Sequence, residues 1–150
     1  MANTIVIPSI SPLVLGSQFD KTNATLADIT GFSFVLVPGT YVTRATLIMT
    51  PSAAGGFKLA ISGTATFSNI RISVIVANWT TLGNTIVQQF TAKDDSSNTS
   101  ATGPTIATAE YSGAVTCSVG GTFTLQFAQN SASGTSSIVP GSIFEVNPIG

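Results

Sequence analysis

Apolar and polar residues alternate along most of this chain, and the alternating stretches are separated by clusters of Gly, Pro, Ser and Thr. A period of two places successive side chains on opposite faces of an extended backbone, so the pattern predicts half-buried β-strands joined by tight turns. Phe32, Phe34 and Leu36 alternate up to the turn Pro38-Gly39. A strand from Tyr41 to Met49 follows, with Tyr41, Ala45, Leu47 and Met49 on one face, and together the two stretches predict a hairpin. Ser52 to Gly56 is a loop of small residues. Beyond it Phe57, Leu59 and Ile61 point one way and Lys58, Ala60 and Ser62 the other, as far as Gly63. The longest apolar stretch runs from Phe67 to Trp79; Ile70, Ile72, Val74 and Val76 share a face, and their β-branching favours a central strand.

Shorter strands are predicted at 86–92, 106–111, 114–119, 122–128 and 143–146, with Gly120-Gly121 as a hairpin turn. Asp94-Asp95-Ser96-Ser97-Asn98-Thr99-Ser100 has nothing to bury and strong turn chemistry, and predicts an exposed loop. Helical spacing is nearly absent. The fold class that follows is all-β, an antiparallel β-sandwich or jelly roll of about eight strands.

The first residues differ from the rest. Ile5, Ile7, Ile10, Leu13, Val14 and Leu15 are interrupted by Pro8 and Pro12, which disfavour the interior of a sheet. Residues 1–25 therefore read as an extended N-terminal arm, and residues 26–150 as the β-domain. An apolar arm needs a surface to lie against, either its own domain or another subunit.

Composition narrows the function. At 150 residues the chain is one domain of ordinary size. Charged residues make up 7% and apolar ones 43%, against roughly 25% charged in an average globular protein, which excludes a disordered chain. The five basic side chains, Lys21, Arg44, Lys58, Arg71 and Lys93, are scattered singly among six acidic ones, so no footprint for nucleic acid exists. No apolar run is long enough to cross a membrane as a helix, and Met1 to Leu15 lacks the pattern of a signal peptide, implying a chain made in a cytoplasm and not cleaved. Histidine is absent, which removes the commonest general base and zinc ligand. Cys117 is the single cysteine, has no partner for a disulfide, and alternates with Val115 and Val119 on an apolar face.

The remaining chemistry is sparse. Asp94, Asp95 and Asn98 offer oxygen ligands for calcium, but Asp and Asn are favoured in turns for backbone reasons alone. Glu110 and Glu145 sit in strands, and isolated exposed carboxylates account for them better than a hydrolytic pair. Trp79, Tyr41 and Tyr111 are more often core than sugar-stacking platforms. Three Asn-x-Ser/Thr acceptor patterns, at Asn23, Asn78 and Asn98, are expected by chance in so Asn- and Thr-rich a chain. The expectation is a protein with no catalytic residues, no metal and no cofactor.

Three stretches resemble a known family. Asp28-Ile29-Thr30-Gly31-Phe32-Ser33-Phe34 with Pro38-Gly39-Thr40-Tyr41, then Ser52 to Gly63, and most specifically Gly121-Thr122-Phe123-Thr124-Leu125-Gln126-Phe127-Ala128-Gln129-Asn130 continuing through Gly141-Ser142-Ile143-Phe144-Glu145-Val146, resemble a trimeric β-domain of tailed-phage virion proteins. That domain is a jelly roll similar to the tumour necrosis factor and C1q folds. Pro38 stands where the family more often has Ala, and Pro140 precedes Gly141. The resemblance implies a homotrimer, with Tyr111, Leu125, Phe127, Gln129 and Phe144 as candidate interface residues and Gln126 and Asn130 as further polar contacts. It also implies a place in a virion. About twenty-five residues reach at most ~85 Å, too short for a fibre shaft, so the expected role is a capsid decoration, or cement, protein. Such a protein sits on the capsid surface, is made in the host bacterial cytoplasm, and binds the major capsid protein through the arm residues Ile5, Ile7, Ile10, Leu13, Val14 and Leu15. The alternative is a tail-associated receptor-binding tip whose loop at 94–105 contacts host surface polysaccharide.

Overall fold

The computed structural model of the chain describes residues 11–78, 85–99 and 106–149. These form twelve strands: β1 (Leu13–Val14), β2 (Phe19–Lys21), β3 (Ala27–Leu36), β4 (Gly39–Thr50), β5 (Phe57–Ser62), β6 (Thr66–Asn78), β7 (Thr85–Phe90), β8 (Ser96–Thr99), β9 (Ala107–Val119), β10 (Gly121–Ala128), β11 (Ser136–Ile138) and β12 (Ile143–Ile149). The described residues contain no helix.

Strand pairing follows a nested order. β3 pairs with β10, β4 with β9, β5 with β8 and β6 with β7, all antiparallel, so the chain behaves as one long hairpin. The hairpin is then rolled up, which brings β10 beside β5 and β9 beside β6. One sheet has the order β3-β10-β5-β8; the other runs β1-β12-β4-β9-β6-β7, with β2 attached through β11. This is an eight-stranded jelly roll to which β12 and the short strands have been added.

Rolling explains where the strand connections depart from the sequence reading. Phe32–Leu36 and Tyr41–Met49 do not form a hairpin, because β3 and β4 lie in opposite sheets. Gly120-Gly121 is likewise a corner between sheets, from β9 to β10. The two corners travel together: Leu36 pairs with Gly121 in one sheet and Gly39 with Cys117 in the other. Three chain segments meet there, and a Cβ on Gly121 would stand 2.6 Å from the Ala65 nitrogen, so only glycine fits. The two stretches predicted at 106–111 and 114–119 merge into one continuous strand, β9, which starts at Ala107. Asp94 and Asp95 do form a turn, but Ser96–Thr99 is strand β8 on the edge of β5.

The inward parity of each strand is as the alternation predicts. Ile70, Ile72, Val74 and Val76 of β6, Tyr41, Ala45, Leu47 and Met49 of β4, and Phe57, Leu59 and Ile61 of β5 are all buried. Phe32, Phe57, Phe90, Phe123, Phe127 and Phe144 are all under 2% exposed, and each such side chain stabilises the fold by about 1.5–3 kcal/mol through lost water contact. Phe144 packs against Phe32, Phe34 and Phe123 at centroid separations of 6.0, 5.0 and 5.6 Å, joining the two sheets.

The described half of the expected arm belongs to the domain. Leu13 and Val14 pair with Phe144 and Ile143, Leu15 is buried, and its backbone exchanges hydrogen bonds with Ser142 and Gly141 at 2.9 and 3.0 Å. Phe19–Lys21 pairs with Ser136–Ile138. The β-domain therefore reaches back to Leu13, ahead of residue 26.

Candidate docking face

The six-stranded run β1-β12-β4-β9-β6-β7 turns one face to the core and the other to solvent. Register aligns the outward side chains in rows across the strands. One row reads Val14, Ile143, Thr46, Glu110, Ile75, Val87. Its aliphatic members are 62, 37, 43 and 62% exposed in that order, so four large apolar side chains lie in water on one line across the sheet. The next row holds Glu145, Arg44, Ser112, Ser73 and Gln89; the one beyond it holds Asn147, Val42, Ala114 and Arg71.

Arg44, Thr46, Glu110, Ser112, Ile143 and Glu145 line a shallow depression of ≈ 320 Å³ in this face. Thr46 Oγ1 donates to Glu110 Oε2 at 2.8 Å, and Arg71 Nη1 donates to the carbonyl of Ile70 at 2.8 Å. Glu110 and Glu145 share the face, yet β4 runs between their strands.

The outer face of the other sheet carries, among the described residues, one exposed aliphatic residue, Val35 at 78%, beside polar groups bonded within the chain. There Asp28 Oδ1 accepts from Ser62 Oγ at 2.9 Å and Gln126 Nε2 at 2.8 Å, and the hydroxyls of Ser33 and Thr124 lie 2.8 Å apart. Those polar groups satisfy one another within the chain, whereas the aliphatic row on the larger sheet has no cover.

The five candidate interface residues lie elsewhere. Tyr111, Leu125, Phe127, Gln129 and Phe144 are at most 2% exposed, inside a single chain. They have no area left to offer a second copy, because their inward parity places them between the two sheets. Gln129 instead organises the loop after β10: its Nε2 donates to the carbonyls of Ser133 and Gly134, both at 3.0 Å, and its Oε1 accepts from the Ser133 amide at 3.1 Å. Of the candidate docking arm, Ile5, Ile7 and Ile10 lie outside the described residues. Leu13 and Leu15 are part of the fold, and Val14 alone projects onto the exposed row.

Other candidate groups have local roles. Asp95 Oδ2 accepts from the backbone amides of Thr91 and Ala92 at 3.1 and 2.9 Å and so holds the turn into β8. Among the described residues no three His, Cys, Asp or Glu gather into a metal site. Burial pushes the Cys117 thiol up from its ordinary value, and its Sγ donates to the Val119 carbonyl at 3.1 Å. The rings of Tyr41 and Tyr111 are buried and present no stacking surface for a sugar, while Trp79 lies outside the described residues.

No protein-family model, no curated protein and no solved structure matches this chain.

The sequence reading missed Ile75, Ile143 and Val87. The available signal was phase: in β6, Ile75 falls between the inward Val74 and Val76, and an aliphatic residue on the solvent parity is what a covered outer face requires.

Proposed function

We propose that this chain is a structural binding module, a homotrimer that decorates a bacteriophage capsid and stabilises the shell of major capsid protein. The observation that carries the reading is the uncovered row Val14, Ile143, Ile75 and Val87 on the larger sheet. Two exposed aliphatic pairs on one sheet face, Val14 with Ile143 and Ile75 with Val87, flanking Thr46 and Glu110, mark a place where protein meets protein. The resemblance to trimeric phage jelly rolls supports a cyclic assembly on that face, and the apolar residues Ile5, Ile7 and Ile10 give the trimer a means of gripping the shell. Its mechanism is binding alone. Surface buried between decoration and capsid lowers the free energy of the assembled shell, and mass action carries that gain into resistance to disassembly.

Light scattering on the purified chain tests the assembly: three times 15.3 kDa is expected, and a monomer at all concentrations overturns it. Co-sedimentation with undecorated capsids tests the partner. Saturable binding at hundreds of copies per particle is expected, and a handful of copies identifies a tail component instead.

A further inference from the structure

We infer that the four charges on the docking face set the register of self-association, with Arg44 meeting Glu110 of the next copy and Glu145 meeting the next copy's Arg71. The inference rests on the self-association proposed above and names the contacts that would make it specific.

The chain has two arginines and two glutamates, and all four project from the outer face of the larger sheet. The other charges sit on β2, on the four-stranded sheet or in the turn between β7 and β8. Read across the sheet, the signs alternate strand by strand: Glu145 on β12, Arg44 on β4, Glu110 on β9, Arg71 on β6. Alternation of this kind suits ion pairs between neighbouring strands of one chain, yet the chain does not use it that way. The Glu110 side chain is engaged by Thr46 and that of Arg71 by a backbone carbonyl, and neither the Arg44 nor the Glu145 side chain has a hydrogen bond or ion pair among the described residues.

The order −, +, −, + matches a second copy under rotation. In a closed ring whose axis runs along the strands over the β4–β9 seam, each copy lays its β12–β4 half against the β9–β6 half of the next. The inner strands β4 and β9 then oppose each other, as do the outer strands β12 and β6, and both contacts bring together unlike charges. Each pair is offset by one step of the register, about 6.6 Å along the strand. The exposed aliphatic residues Ile143 and Ile75 lie on those same outer strands and come together in the same movement. The face carries no net charge, so it repels neither a copy of itself nor the approach of one.

Charge inversion tests this in the full-length chain. Arg44→Glu with Arg71→Glu makes all four groups negative, and light scattering against concentration is expected to show self-association weakened by about tenfold or more. Both arginines are exposed, so circular dichroism should retain the β-sheet spectrum. Inverting all four, with Glu110→Arg and Glu145→Arg added, restores unlike charges at every contact and is expected to restore assembly. Undiminished assembly of the double variant overturns the inference, as does a folded four-way variant that stays monomeric. A monomeric wild type removes the self-association reading itself. If that monomer still binds capsids and the double variant does not, the shell protein occupies the face and the inference is overturned.

Discussion

Two tyrosines give opposite expectations for the same substitution. The Tyr111 ring lies between the sheets, 2% exposed and 5.9 Å from the Phe90 ring, and its hydroxyl has no hydrogen-bond partner. The Tyr41 ring is 4% exposed, but its hydroxyl donates to the Val37 carbonyl at 2.8 Å. A buried hydroxyl without a partner costs about 1–3 kcal/mol. Tyr111→Phe removes that cost, keeps the ring contacts, and leaves a void one oxygen atom in size, worth a few tenths of a kcal/mol at about 24 cal/mol per Å³. The variant is therefore expected to be more stable by about 1–2 kcal/mol, or roughly 2–6 °C in Tm for a domain of this size. Tyr41→Phe loses a made bond and is expected to be less stable by about 0.5–1.5 kcal/mol.

Urea and thermal unfolding at one fixed chain concentration check both, because the proposed self-association would make Tm depend on concentration. Alkaline pH gives an independent reading. Burial pushes the Tyr111 hydroxyl far above its ordinary value of 10.0, so the folded chain keeps the proton where the unfolded chain releases it. The unfolded state then binds fewer protons, and stability falls as pH rises through 10. Tyr111→Phe should lose that decline. A Tyr111→Phe protein that unfolds more easily than wild type at neutral pH would refute the reasoning, since it would mean the hydroxyl is bonded, for instance to an enclosed water.

Gln129→Ala removes the amide that holds Ser133 and Gly134, and is expected to cost about 2–3 kcal/mol, read as a lower urea midpoint at unchanged m. Gly121→Ala forces a Cβ into the backbone at the sheet corner; a loss of more than about 2 kcal/mol is expected, and a neutral result would mean the corner is looser than described. The Asp20 carboxyl is held below its ordinary value of 3.8, first by the Ser137 hydroxyl and then by the Gln18 amide. That contribution is present above pH 3.8 and is lost as pH falls through the lower folded value. The effect is small because the group is exposed, and an acid titration of stability should be flatter for Asp20→Asn. Deleting Met1 to Ile10 spares the buried Leu15, and is expected to leave the assembly intact while abolishing capsid attachment in a sedimentation assay.

The fold was legible because its determinant is local. Alternation in Phe57–Ile61, Ile70–Val76 and Phe123–Phe127 names the inward residues without knowledge of which strand lies beside which. Connection is not local. Val37-Pro38-Gly39 and Gly120-Gly121 carry turn residues, and turn residues suit a hairpin and a corner equally. Only the packing of Gly121 against Thr64 and Ala65, residues distant in sequence, decides between them. The Ser96–Thr99 strand escaped for a related reason: Ser, Asn and Thr have no apolar period to read, and that segment is extended because the edge of β5 needs a partner.

The candidate site failed to emerge because two different arguments point to large apolar residues. The family resemblance implies Leu125, Phe127 and Phe144 as interface residues, yet the alternation that makes them strand residues assigns them to the interior, where they are at most 1% exposed. A protein whose single-chain core holds seven buried phenylalanines does not need a neighbour to hide them. What it cannot hide are aliphatic residues on the opposite parity. Ile75 beside Val74 and Val76, Ile143 beside Phe144, and Val87 beside the side opposite Phe90 are weak signals strand by strand. They become one row only after the register β12-β4-β9-β6-β7 is known, and the alternating charges of Glu145, Arg44, Glu110 and Arg71 become visible in the same step. A row of side chains on the outer face of a β-sandwich is thus a property of strand order, which the sequence encodes only through long-range pairing. Its trace in one dimension is the residue that breaks the alternation.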